Sequence, residues 1–223
     1  VIVVIGGGCF GSYHTRQLLK AVRAGRLPDQ RLLVVDRNPD CAAARALRPT
    51  PEVDLVTDDW LTFLRGWLPA ANPSDQLVPA PMAPHLLWEW LAAETASVPV
   101  EAPRDWGLPY EWPGRAGEVF LSAAAWVCPT TCVEPAHCPV LHAPRDWDLG
   151  ALIEARAVEL GYVPLVLRCL HLTSGVGTIP VAEVLAARDR ARRAERALVA
   201  TSSRCHAAVG ALGRAAAVAG GSG

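Results

Sequence analysis

The chain has 223 residues, of which 51% are hydrophobic and 19% charged, with 21 basic side chains against 22 acidic ones. That length holds one large α/β domain, or a nucleotide-binding domain with a smaller appendage, around a core that needs no disulfide staples. The near-neutral balance excludes an electrostatic nucleic-acid binder and a disordered tail, and no apolar run approaches the ~20 residues of a bilayer-spanning helix. A cytoplasmic protein without membrane insertion is expected, assembling as a homo-oligomer. The chain opens at Val1 directly inside an apolar run, so a few residues are expected upstream.

Residues 1–5, VIVVI, read as a strand buried on both faces, and GGGCFGSYHTRQLLKAVRAG then reads as a glycine turn and a helix. A second strand is predicted at 32–35, closing on Asp36, an alanine-rich helix at about 40–48, and a third strand at VDLVTDD, residues 53–59. Strands alternating with helices predict a doubly wound parallel sheet of Rossmann type. A short fourth strand is expected at 76–78, stopped by prolines 79, 81 and 84, and a helix follows over 85–96 with His85 at its start.

Residues 97–113 are rich in proline and tryptophan and lack periodicity, which predicts a linker or irregular wrap. The pentapeptide APRDW occurs at 102–106 and again at 143–147, with unmatched flanks. Residues 118–128 read as a strand or strand and turn, 149–161 as a helix, and 163–172 as one buried strand. A long helix is predicted from 181 to about 204, its arginines at 188, 190, 192, 193 and 196 forming a solvated face, and the alanine-rich 205–218 also reads as helical. The expected organisation is a dinucleotide-binding domain at 1–98, a linker at 99–117, a Cys-rich α/β metal-binding half at 118–218, and a flexible tail at 219–223.

Gly6, Gly8 and Gly11 satisfy G-x-G-x-x-G between a strand and a helix, with Asp36 ending the next strand. The first glycine allows the tight turn, the second lets backbone approach a pyrophosphate, and the third permits close packing of helix on strand. The helix N-terminus supplies N–H groups to phosphates. Cys9 and Phe10 lie inside this turn, Arg37 follows Asp36, and Asp58 follows the third strand, so all belong to the predicted cofactor site. Asp36 would accept from both ribose hydroxyls and repel a 2′-phosphate, which favours NAD(H) over NADP(H). VIGGGCFGSYHTRQLL followed by LLVVDRNP resembles the N-terminal nucleotide-binding domain of the TrkA type, found in regulators of potassium conductance. The likeness spans about the first 40 residues and implies a Rossmann fold that binds NAD or a related nucleotide.

Seven cysteines in a non-secretory chain, three of them within CPTTCVEPAHC, favour metal or redox chemistry over a disulfide framework. Cys128, Cys132 and Cys138 have the spacing C-x3-C-x5-C, unlike the paired knuckles of structural zinc, whereas iron–sulfur loops gather thiolates in one irregular segment with proline after a ligand. A [4Fe–4S] cluster is therefore expected, with zinc as the alternative. Cys205 is the first choice for the fourth ligand, with His137, His142 and His206 as alternatives. Cys169 reads as a core thiol. Trp106, Trp112, Trp126 and Trp147 flank the loop and could shield a cluster.

His85 is expected near the nicotinamide and its substrate, as a general acid or base or simply as a helix cap. His171 and TSGVGTIP suggest a second turn open to a ligand. Together these residues point to an NAD(H)-binding redox protein that meets a small substrate or redox partner. The alternative is a non-catalytic nucleotide sensor stapled by zinc.

Overall fold

In the computed structural model, which describes residues 1–47, 50–79 and 85–214, the first apolar run forms β1 (Ile2–Ile5) with every residue buried. It is followed by α1 (Cys9–Arg23), β2 (Leu32–Asp36), α2 (Ala42–Leu47), β3 (Val53–Thr57), α3 (Trp60–Trp67), a 3₁₀ turn at Leu68–Ala70, β4 (Gln76–Val78) and α4 (Leu86–Thr95). β3, β2, β1 and β4 lie side by side and parallel, Ile2 pairing with Leu32 on one side and Gln76 on the other. Each crossover runs through a helix, as parallel pairing requires.

Beyond α4 come β5 (Ser97–Val100), β6 (Tyr110–Pro113), β7 (Val119–Ser122), the short pair β8 (His137–Cys138) and β9 (Ala143–Pro144), and α5 (Leu149–Glu159). The chain continues through β10 (Val163–Arg168), β11 (Leu170–Thr173), β12 (Val176–Pro180), α6 (Val181–Ala191), β13 (Arg196–Ser202) and β14 (His206–Arg214). β12 extends the first sheet antiparallel to β4, β11 pairs antiparallel with β12 at the edge, and the second sheet runs β10-β13-β14-β7-β6 with β5 also on β14. The protein is thus mixed α/β, its first sheet parallel in four strands and antiparallel at the edge beyond β4.

Four expectations are corrected. Residues 97–113 carry two strands, β5 and β6, because their partners β14 and β7 supply the ladder that local periodicity does not show. Residues 163–172 form two strands in different sheets: the Cys169 N–H bonds to Ser202 O at 2.7 Å and ends β10, and the chain crosses to β11. The helix from 181 stops at Ala191, and residues 196–202 form β13 instead. The alanine-rich segment after Cys205 is β14, paired with β13 over seven positions from Arg196↔Gly213 to Ser202↔Ala207. Alanine's helix preference is a few tenths of a kcal/mol per residue, and a fully paired, buried central hairpin outweighs it. The predicted tail at 219–223, the helical expectation for 215–218 and the prolines at 81 and 84 lie outside the described residues.

The main core lies between the sheets. α4 buries Leu86, Leu87, Trp88, Trp90, Leu91 and Ala92, apolar nearly all round, as expected of a helix enclosed on every side. It packs with Val3, Ile5 and Leu77 of the first sheet and with Leu165, Val199 and Leu212 of the second. The Trp88 indole N–H donates to Ala211 O at 3.0 Å, and a Cβ on Gly210 would lie 2.5 Å from its ring. Gly210→Ala is therefore expected to destabilise the protein by about 1–3 kcal/mol through overpacking. Gly66→Ala, in α3 with nothing within 4 Å of the added Cβ, should stabilise by about 0.5–1 kcal/mol. Urea unfolding of the two variants checks both signs.

Candidate functional site

The glycine turn is built as its spacing predicts. Gly6 has φ +86°, and a Cβ on Gly11 would stand 1.6 Å from Gly6 O, so α1 packs directly on the end of β1. A Cβ on Gly8 would meet nothing within 4 Å, leaving open space at the start of α1, where no side chain caps the helix. Asp36 accepts from the Gly7 N–H at 2.6 Å and from Asn38 N–H at 2.8 Å, which holds its carboxylate against the turn. Cys9 and Phe10 are exposed at the first positions of α1.

The other two predicted cofactor residues are turned elsewhere. Arg37 pairs with Asp59, which also caps α3 by accepting from the Thr62 N–H at 2.9 Å. Those two bonds hold the Asp59 carboxyl below its usual range. Asp58 accepts from the Asp59 N–H at 2.7 Å and stays within its own turn.

The cysteine loop has little regular structure and is held by long-range bonds. Glu134, at φ +50°, accepts from Ser203 Oγ and from the Arg204 N–H, each at 2.7 Å, and so docks the loop on the turn between β13 and β14. The Ala123 N–H donates to Cys205 O at 2.9 Å in the same region, and Thr130 O lies where a Cβ on Gly175 (φ +69°) would come within 1.9 Å of it. Cys205 therefore sits in a β-hairpin turn, not between helices, and meets the loop there.

All four predicted metal ligands share this neighbourhood. Cys128 feels Cys132, Cys138 and Cys205 electrostatically, and burial first, then Cys132 and Cys138, pushes its thiol up. Cys205 is buried and pushed up chiefly by desolvation, while the Trp147 indole N–H donates to its Sγ at 3.3 Å. Cys138 is pulled down, first by the Leu141 backbone N–H. Arg145 acts on both Cys138 and Cys205, stacks 5.6 Å over Trp147 and donates to Pro135 O. Trp126 meets Trp147 edge to face at 5.8 Å, and its buried indole N–H has no bonded partner but lies close enough to Cys128 to favour the thiolate.

Among the described residues no three Cys, His, Asp or Glu side chains are set as the ligands of one metal ion. The four thiols come from two chain segments, the loop of 128–138 and the β13–β14 turn, with the Trp147 indole bonded to Cys205 and Arg145 near Cys138 and Cys205. His137 and His142 are exposed and His206 faces a neighbouring cavity. Trp106 packs under the second sheet, and Trp112, 72% exposed, shields nothing.

That cavity, of about 490 Å³, lies between the sheets. Its walls are the end of β4 at Val78, His14 of α1, His85 before α4, Phe120 of β7 and Ala208 of β14, closed on one side by Cys128, Cys132 and Cys205. His85 occupies the N-cap position without capping; it is buried, and its Nε2–H donates to Val199 O at 3.0 Å. Burial lowers its pKa to about 4, partly opposed by that bond, so it is neutral near pH 7. Cys169, read as a core thiol, lines the cavity with its pKa pushed up to about 12 by burial, and His171 lines it two residues further on. His14 was not singled out in the sequence; its Nδ1 is buried without a partner. Arg145 also escaped the sequence reading, although the second APRDW copy marks its position.

Residues 83–215 match the family model described as AF_1314_C: Uncharacterized protein, C-terminal domain, and the chain belongs to that family. The matched segment holds α4, the cysteine loop and the second sheet, and leaves out the glycine turn. A curated relative from Archaeoglobus fulgidus, described as an uncharacterized protein, is 28% identical over 230 residues, covering 96% of this chain and 99% of the relative. No solved structure matches. No helix among the described residues is long and apolar enough to cross a membrane.

Two outcomes follow from these bonds. His85 has a folded pKa of about 4 against 6.5 unfolded, so the unfolded chain binds the extra proton between those values. Its contribution is complete above about pH 6.5 and is lost as pH falls toward 4, by an amount on the order of 3 kcal/mol. Chemical denaturation at stepped pH, compared with His85→Phe, measures it as the slope that the variant lacks. Glu134→Ala should cost about 1–3 kcal/mol by removing two hydrogen bonds to a carboxylate. It should also expose the buried Cys138 to iodoacetamide faster than in the parent chain.

Proposed function

We propose that the chain is an NAD(H)-binding redox protein in which a nucleotide at the glycine turn faces a cysteine-ligated iron–sulfur centre, a [4Fe–4S] cluster, across the cavity. The observation that carries this reading is that Cys128 and Cys132 of the loop and Cys205 of the β13–β14 turn line one cavity that also reaches Val78 at the end of β4, with Cys138 further along the same loop. The strand order β3-β2-β1-β4 supports a Rossmann half, whose nucleotide crevice falls between β1 and β4. The resemblance of the first 40 residues to TrkA-type domains points the same way.

Gly8 would leave room for a pyrophosphate, and Asp36, held by the Gly7 N–H, would accept from ribose hydroxyls. Asp36 beside the ribose end would repel a 2′-phosphate, and Arg37 is paired with Asp59 rather than turned to it, which supports NAD(H). Cys128, Cys132, Cys138 and Cys205 would hold the centre, while Trp126, Trp147 and Arg145 would donate to its sulfurs and keep water away. When bound, the centre supplies one-electron chemistry and the nicotinamide two-electron chemistry. His85, neutral and committed to Val199 O, serves by position rather than as a proton carrier near pH 7.

Anaerobically purified protein tests this through its absorption spectrum, its iron, zinc and acid-labile sulfide content, and an NADH titration followed by fluorescence. A broad band near roughly 400 nm with iron and sulfide, together with saturable NADH binding, is expected. A colourless protein with stoichiometric zinc would instead make the loop a structural staple and the chain a nucleotide sensor.

A further inference from the structure

Phe10, the second residue of α1, is 47% exposed. A lone apolar side chain on a surface needs no explanation, but the position of this one is informative. Its helix opens at the glycine turn, where a Cβ on Gly8 would meet nothing within 4 Å. One helical turn further along, His14 lies on the same face, its ring centroid 6.4 Å from that of Phe10. His14 lines the cavity, and its Nδ1 is buried without a partner. Phe10 and His14 thus form an aromatic ridge that runs from the turn to the cavity.

The sheet fixes which half of a dinucleotide would meet that ridge. β1 carries the turn, with β2 on one side of it and β4 on the other. Asp36, the ribose acceptor, ends β2, whereas Val78 ends β4 and lines the cavity together with Pro79. A molecule held at Asp36 by one ribose and at Gly8 by its pyrophosphate is already crossing β1, so its second half continues toward β4. The ridge and the cavity lie on that side.

Both side chains suit the end of such a molecule. The face of Phe10 offers an offset-stacked contact to a flat ring. A carboxamide carries both a donor and an acceptor, so it satisfies His14 Nδ1 in either tautomer of the imidazole. Tyr13 meets the His14 ring edge to face at 5.9 Å and helps to fix its direction.

We infer that Phe10 and His14 form the nicotinamide subsite, the ring lying on Phe10 and its carboxamide bonded to His14 Nδ1, at the mouth of the cavity that Cys128, Cys132 and Cys205 also line. The inference rests on the nucleotide half of the function proposed above. It adds a contact that neither the glycine turn nor Asp36 supplies.

ADP-ribose is the same dinucleotide without the nicotinamide ring, so calorimetric titration of the full chain with NADH and with ADP-ribose separates this subsite from the rest. NADH should bind the parent chain at least about threefold more tightly. Phe10→Ala should weaken NADH about three- to tenfold, Phe10→Tyr should keep it, and the affinity for ADP-ribose should stay the same in both. His14→Leu should likewise weaken NADH alone, by about two- to tenfold. Because Phe10 is exposed, its variants leave the core intact and decide the matter even if His14→Leu fails to fold. Equal affinity of the parent for the two ligands, undiminished NADH binding in Phe10→Ala or in folded His14→Leu, or a loss shared by ADP-ribose would overturn the inference while the nucleotide reading stands. A parent chain that binds neither ligand overturns both. The expected discrimination in a chain without iron keeps the subsite and loses the iron–sulfur centre.

Discussion

The Glu134 carboxylate takes one hydrogen bond from Ser203 Oγ and one from the Arg204 N–H, and through them a loop is joined to a turn about seventy residues further along. Between β7 and α5 the chain has only the two-residue strands β8 and β9 to order it. Fixing such a segment costs conformational entropy in every residue, and the docking bonds are what offset it. They also decide chemistry. Without them Cys128, Cys132 and Cys138 would be a local cluster on a free loop; with them Cys205 joins the set and the loop becomes a wall of the cavity.

The opposite wall depends on α4. Because that helix is apolar nearly all round, it can stand only between two sheets, and its first turn then points at the end of β4. His85 precedes that turn and is drawn inward to the Val199 carbonyl of the second sheet. A position that sequence reasoning gives to a helix cap or a proton carrier becomes a buried donor to the second sheet. Burial rather than any neighbouring charge sets its protonation.

Most of the first 78 residues were legible, α3 (Trp60–Trp67) excepted, because the signals there are local: β-branched runs, a glycine turn with a distinct reason for each glycine, and Asp36 closing the next strand. The clustering of Cys128, Cys132 and Cys138 was visible for the same reason, whereas the hairpin turn that carries Cys205 was not. What escaped was decided by partners distant in the chain. β13 and β14 are alanine-rich and read as helix, yet each is the other's ladder, and Gly210 is the trace of Trp88 lying against them. β5 and β6 exist because β14 and β7 do. Cys169 packs against the main core as it reads, but the passage from one sheet to the other has no signature in VLRCLHL, and only the sheet pairing also brings it to the cavity wall. Arg145 and Trp147 carry the same pentapeptide as Arg104 and Trp106, and surroundings alone give one copy to the cysteines and the other to a core.

β12 lies against β4, and this arrangement has a consequence for how the chain is made. An exposed parallel strand is an open template for other chains, and β4 is such an edge until residues 176–180 are available to cover it. Nascent chains tend to fold from the N-terminus as they emerge, but here the first sheet must wait, unfinished, while more than ninety residues follow β4 out of the ribosome. By then the cysteine loop has already been synthesised. The first sheet is therefore closed only after the cysteine loop has been made, and a chaperone or an early-arriving ligand that shields β4 during that interval would act on the yield of folded protein rather than on its stability.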